Sequence, residues 1–135
     1  MANALYGLGR EKFLNADIDW AADNIKVVLV DTNDYTVSIN THEFLSDVAA
    51  GARVATSSNL ASKTSTLGVA DAADVTFTAV TGDQSEALVI YKDTGSAATS
   101  PLIAYIDTAT GLPVTPNGAD ITVTWDNGSN KIFAL

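Results

Sequence analysis

His42 is the only histidine of the chain and stands in the run Thr41-His42-Glu43-Phe44. In a protein without cysteine, an imidazole is the first group to test as a general base or as the activator of a serine. No G-x-S-x-G elbow accompanies it, and a histidine zinc site needs more ligands than one ring supplies. His42 therefore reads as a surface or capping residue at the start of a short helix. The remaining groups able to move protons are carboxylates close in sequence: Asp17 with Asp19, Asp31 with Asp34, and Asp71 with Asp74. A calcium loop needs several oxygens in fixed order, commonly closed by a bidentate glutamate, and these pairs lack that order. They read as turn and cap residues that bond their own backbone. The same pairs leave open a general acid and base of the glycosidase kind, although no aromatic-rich sugar cleft accompanies them. Gly7-Leu8-Gly9-Arg10 follows no strand and is too short to cradle a phosphate. Asn127-Gly128-Ser129 matches a glycosylation acceptor but reads better as a tight hairpin turn. Trp20 and Trp125 are far apart and fit core or interface packing better than a ligand platform. The residues thus predict no catalytic group, no metal site, no cofactor and no small-molecule substrate.

Composition narrows the class. The 135 residues suit one β-rich domain, 47% of them are hydrophobic, and cysteine is absent. Disulfides and thiolate chemistry are thereby excluded. Seven basic residues against sixteen acidic ones give a formal net charge of −9, and the basic ones are scattered singly. Binding to nucleic acid requires clustered lysine or arginine to displace counterions, so direct DNA or RNA partners are not expected. The acidity predicts solubility and mutual repulsion between free copies. No run of about 18 apolar residues occurs, so no membrane span is expected. Arg10, Glu11 and Lys12 interrupt the region where a signal peptide needs an apolar stretch, so export by that route is not expected either.

The elements that must position any site begin with a weak helix. Leu5, Gly9, Phe13 and Ala16 recur at helical spacing with Tyr6 and Leu14 beside them, Asn3 is a candidate N-cap, and Glu11 and Lys12 fall on the outer side. Gly7 and Gly9 each cost about 1 kcal/mol relative to alanine, so residues 1–20 are expected to form a marginal helical segment that docks outside the domain. Ile25-Lys26-Val27-Val28-Leu29-Val30 reads as a buried strand, and residues 35–39 alternate like its hairpin partner. Residues 41–51 predict one or two helical turns capped by Thr41 and stopped by Gly51. Residues 57–74 are small and polar, a long loop or irregular edge. Residues 74–80 place Val75, Phe77 and Ala79 on one side. Residues 87–93 and 101–107 are nearly continuous apolar runs, as in central strands covered on both faces. Residues 108–118 carry two prolines and two glycines and must be a loop. Residues 121–125 alternate with Ile121, Val123 and Trp125 inward, and residues 131–135 are expected to pair back on them. This pattern of seven or eight strands is that of an all-β, mainly antiparallel sandwich or barrel with short N-terminal helices.

Residues 3–20 (NALYGLGREKFLNADIDW), the runs IKVVLVDT and THEFLSDV with GARVA behind it, and the pair EALVIYKDTG and SPLIAYIDTATGLPVTPNG together resemble a group of small tailed-phage virion structural proteins. The resemblance implies a component of a phage particle, made in the host cytoplasm. Within that class a capsid decoration or cement protein fits best: small, β-rich, acidic, bound in many copies to the major capsid protein and touching copies of itself. The contact surface is expected at Leu5, Tyr6, Phe13 and Trp20 and at the loop residues Leu112, Pro113 and Val114. These are large or apolar groups in segments with the weakest claim on the core. On that expectation, deleting residues 1–16 leaves a folded domain that no longer joins capsids. A tail or head–tail connector ring and a carbohydrate- or host-surface-binding module are the alternatives.

Overall fold

Three apolar runs, rich in β-branched side chains and too short to be buried helices, build the centre of the molecule. The computed structural model describes residues 3–135, and in it these runs are β2 (Ile25–Val30), β6 (Ala87–Lys92) and β7 (Leu102–Ile106). They pair antiparallel as β7-β6-β2, with β1 (Ala4–Leu5) on the outer edge of β7 and β3 (Arg53–Thr56) on the outer edge of β2. Side chains alternate across a sheet, so a strand apolar at every position must be covered on both faces. That is the observed packing. Val27, Leu29, Leu88, Ile90 and Ile103 face one cluster, while Val28, Val30, Val89, Leu102 and Tyr105 face another. A bulge between Ile90 and Tyr91 in the β6–β7 ladder puts Ile103 and Ala104, adjacent in sequence, into the same cluster. Each fully buried aliphatic contributes about 1.5–3 kcal/mol relative to exposure.

Different covers close the two faces. Over the first lie Trp20, Leu60, Phe77, Val80 and Trp125, with two small antiparallel ribbons. One ribbon joins β5 (Val75–Phe77) to β8 (Ile121–Val123), and the other joins β4 (Val69–Ala70) to β9 (Phe133–Ala134). Over the second face lie Tyr6, Tyr35, Leu45, Val48 and Ala52, carried by irregular chain and the 3-10 turns Leu45–Asp47 and Ala50–Ala52. Among the described residues the regular structure is thus mostly strand, with one α-helix, as the apolar pattern predicts.

Several local expectations are corrected. Residues 35–39 do not form a ladder with β2, whose two edges are taken by β3 and β6. The C-terminal residues pair with β4, not with β8, because β8 is held by β5. Thr41 does not cap the following turn; the Asp47 carboxylate does, accepting the N–H groups of Glu43 and Phe44 at 2.8 and 3.0 Å. Those two bonds hold its carboxyl below the usual carboxylate range. Gly51 lies within a 3-10 turn and does not end one. Ala79 is exposed with φ 49°, so only Val75 and Phe77 face inward. Residues 57–65 are irregular as expected, but the segment goes on to form a 3-10 turn at Thr66–Gly68 and the strand β4, and it buries Leu60, Ala70 and Ala72.

The N-terminal segment differs most. The helix α1 spans Gly7–Leu14, Leu14 is 88% exposed, and Ala16 lies beyond the helix with φ 61°. Asn3 does not cap it. The Asn3 carboxamide instead extends the β7 edge, accepting the N–H groups of Asp107 and Thr108 at 2.9 and 3.0 Å and donating to the Thr108 carbonyl. Tyr6 is fully buried, and Ile18 and Trp20 belong to the first core cluster. Residues 3–20 are therefore integral to the packing. The physical reason is Gly9, whose missing side chain lets α1 lie directly on the backbone of β7.

Candidate functional site

The seven expected contact residues separate by burial. Tyr6 and Trp20 are interior and cannot meet a partner: Tyr6 is 0% exposed, and Trp20 is 6% exposed with its indole N–H donating to the Thr64 carbonyl. Phe13 is half-buried against the Phe133 ring at 6.1 Å, and Trp20 meets the same ring edge-on at 5.2 Å. Leu5, Leu112 and Val114 are half-buried, and Pro113, after a cis peptide bond, is exposed. These last four are the only ones of the seven that reach the surface alongside Phe13.

Two hollows on the first face of the sheet bring some of them together. The larger, about 720 Å³, has Leu29, Leu88 and Ile106 at its floor and Leu112, Val114 and Ile121 among its walls. The smaller, about 350 Å³, includes Leu5, Ala104 and Phe133. Asn3, Ile106 and Ile132 line both, so the two hollows are neighbours, with Leu5 beside one and the loop after β7 beside the other. The polar fringe of the larger bonds within the chain. Asp120 accepts the Ala79 N–H at 2.8 Å, Asp126 accepts the Gly128 N–H at 3.0 Å, and Lys131 lies 3.9 Å from Asp71. Trp125 borders the hollow but is 6% exposed and donates its indole N–H to the Ala73 carbonyl, so it offers no open ring face for a sugar.

His42 is half-buried and caps no helix. Its Nδ1 accepts the Ser38 N–H at 3.3 Å and stands 2.9 Å from the Tyr35 hydroxyl, which stands 2.8 Å from the Tyr6 hydroxyl. Because Nδ1 accepts from a backbone N–H, Tyr35 must donate to it, and Tyr6 must donate to Tyr35. Burial pushes the Tyr6 hydroxyl up and the Tyr35 hydroxyl up to about 12, so both stay neutral donors over the physiological range. Such a relay secures packing rather than a reaction. Tyr35→Phe would remove its middle member and strand the Tyr6 hydroxyl in the core, at a cost of about 1–3 kcal/mol. Tyr6→Phe removes only the terminal donor and should cost less. Urea midpoints of the two variants check that order.

Of the sequence-paired carboxylates, Asp31 and Asp34 come together, joined by Asp83; oxygens of the three lie within 4.8 Å of one another. Asp31 is buried and already accepts the Asn33 N–H at 2.9 Å, while Asp34 and Asp83 are exposed. Exposed acidic groups such as Asp34 and Asp83 are common without a bound ion, and Asp31 already serves the backbone. Asp17 and Asp19 sit in a turn where Asp19 accepts the Ala21 and Ala22 N–H groups. Asp74 accepts the Trp125 N–H at 2.9 Å. Asp19 and Asp31 thus bond their local backbone, as the turn reading predicts, whereas Asp74 ties in a strand 51 residues away and Asp71 lies 3.9 Å from Lys131.

The residues that sequence reasoning missed are leucines. Leu67 is 98% exposed and Leu135 is 64% exposed, the largest open apolar groups beside Leu14. The available signal was a leucine next to glycine inside a mostly small and polar stretch. No protein-family model matches the chain, and no curated protein matches it. No helix among the described residues is long and apolar enough to cross a membrane.

Proposed function

We propose that this chain is an adhesive structural component of a tailed-phage particle, most specifically a capsid decoration protein that binds and stabilises the shell of major capsid protein. We also infer that it is not an enzyme and that its finer architecture is a sandwich, with the β4–β9 and β5–β8 ribbons as a broken second layer over the five-stranded sheet. The observation that carries this reading is the division of labour between interior and surface. His42, both tryptophans and most of the paired aspartates hold the fold together, whereas the surface keeps large apolar side chains open to solvent. Burying such side chains against a partner would stabilise a complex. The family resemblance of the whole sequence supplies the identity of the partner. A specific interface takes roughly 800 Å² per partner, which a body of 6709 Å² can provide while leaving most of its surface free. Many equivalent contacts acting together would allow each to be modest. Electron microscopy of purified particles is the test. Copies distributed over the whole shell are expected; one ring at the tail would favour the connector role, and absence from the particle would end the reading.

A further inference from the structure

The larger hollow lies along the edge of a strand. Successive residues of a strand point to opposite faces, yet every residue of 120–126 lines this hollow. Only a space beside the strand meets both faces, so the hollow follows the edge of β8 that β5 leaves open. The main chain agrees. The Ala119 carbonyl accepts the Val80 N–H at 3.1 Å, and the Trp125 N–H donates to the Asp74 carboxylate at 2.9 Å, both toward β5. Main-chain groups alternate in direction along a strand, so those of Thr122 point away from β5, and Thr124 continues that side. The Thr76 and Thr122 hydroxyls meet at 3.1 Å, as in the closer, non-hydrogen-bonded kind of cross-strand pair. Neither Thr122 nor Thr124 has a main-chain partner on the open side among the described residues. An edge of this kind accepts an added strand.

The lining identifies the occupant. Residues 120–126 span about 20 Å at strand rise, the length of an ordinary strand. Toward the core the hollow presents Leu29, Leu88, Ile106 and Ile132, and β8 turns Ile121 and Val123 to the same side. An incoming strand must therefore be apolar at alternate residues. Asp120 and Asp126 stand exposed at the two ends. Each uses one oxygen on a backbone N–H, and neither has a basic side chain in ion-pair reach among the described residues. Lysine or arginine at the ends of the incoming strand would complement them. A second copy would not, because antiparallel pairing of β8 with β8 over the whole of residues 120–126 sets Asp120 against Asp126 twice. We propose that the open edge of β8 is completed by an extended segment of a different protein, apolar at alternate residues and basic at its ends, lying in the hollow as an added strand. This deepens the adhesive reading and rests on it for the identity of that protein.

The test adds an acetylated and amidated peptide, Lys-Val-Thr-Val-Thr-Val-Lys, to the full isotope-labelled chain. Hydrogen exchange at the Thr122 and Thr124 amides should slow about tenfold or more in the bound state. Methylating the nitrogens of the peptide's threonines removes the donors that face β8 and should weaken binding about tenfold. Glutamate in place of both lysines should weaken it about as much. On the chain, Asp120→Asn combined with Asp126→Asn keeps both backbone acceptors and should lower the affinity for the lysine peptide by a similar factor. No binding at about 1 mM peptide would overturn the proposal. So would unchanged exchange at Thr122 and Thr124, or equal binding of the methylated peptide, since the hollow would then hold apolar groups without strand pairing. Equal binding of the glutamate peptide would overturn the assigned partner. A parent dimer in sedimentation that the peptide dissolves would make the occupant a second copy and overturn it as well. Because binding is read on the isolated chain, failure of these arms leaves the virion reading standing, whereas absence of the chain from purified particles would end that reading alone.

Discussion

Removing residues 1–16 is expected to abolish cooperative folding, not to release a stable domain with its docking element cut away. The deletion takes out Tyr6, which heads the largest fully buried side chains of the protein. Truncating a buried aromatic to alanine alone costs about 3–5 kcal/mol. It also removes β1, which pairs Ala4 and Leu5 with Tyr105 and Ala104, and the Asn3 carboxamide that satisfies the next two N–H groups of the edge. The Tyr6 N–H bond to the Ile103 carbonyl, 2.9 Å long, disappears as well, leaving the edge of β7 open. The whole stability of a domain this size is about 5–15 kcal/mol, so these losses together consume most or all of it. Urea unfolding followed by circular dichroism decides the matter. The truncated chain should give a broad transition or none. A sharp transition with the parent's slope would return the segment to the periphery. If the expectation holds, failure of the truncated chain to join a particle says nothing about contacts.

What the sequence made legible follows from how strongly each segment is determined locally. β2, β6 and β7 were legible because a β-branched run that is apolar at every position is stable only between two covered faces. Their partners were not, since residues 35–39 alternate as well as a ladder strand does but lose the edge of β2 to β3, a competition decided by tertiary packing. Tyr6 and Trp20, expected on the contact surface, lie in the core because the short helix between them packs directly on β7, and packing outweighs propensity in most protein helices. Leu5, Leu112 and Val114, read the same way, do border a surface hollow. Leu67 escaped because an isolated leucine in a polar stretch shows neither period.

The sharpest expected single-residue effect contrasts two glycines of α1 that a propensity scale treats alike. A Cβ built on Gly9 would lie 2.3 Å from the Leu102 carbonyl oxygen and 3.3 Å from the Ile103 Cα. Both obstacles are backbone of a central strand, so the helix would have to lift from the sheet, drawing Tyr6 with it. Gly9→Ala should therefore cost about 3 kcal/mol, the upper end of the usual overpacking penalty, despite alanine's better helix propensity. At Gly7 the nearest obstacle is the Asn40 Oδ1 atom at 2.7 Å, the end of a side chain that can rotate away. There the gain in helix propensity, about 0.5–1 kcal/mol, should roughly offset the adjustment, leaving Gly7→Ala near neutral. Urea midpoints of the two variants, measured beside the parent, test the difference. Comparable small effects would mean that α1 rests on β7 loosely, and the close helix–strand contact would no longer explain why residues 3–20 belong to the core.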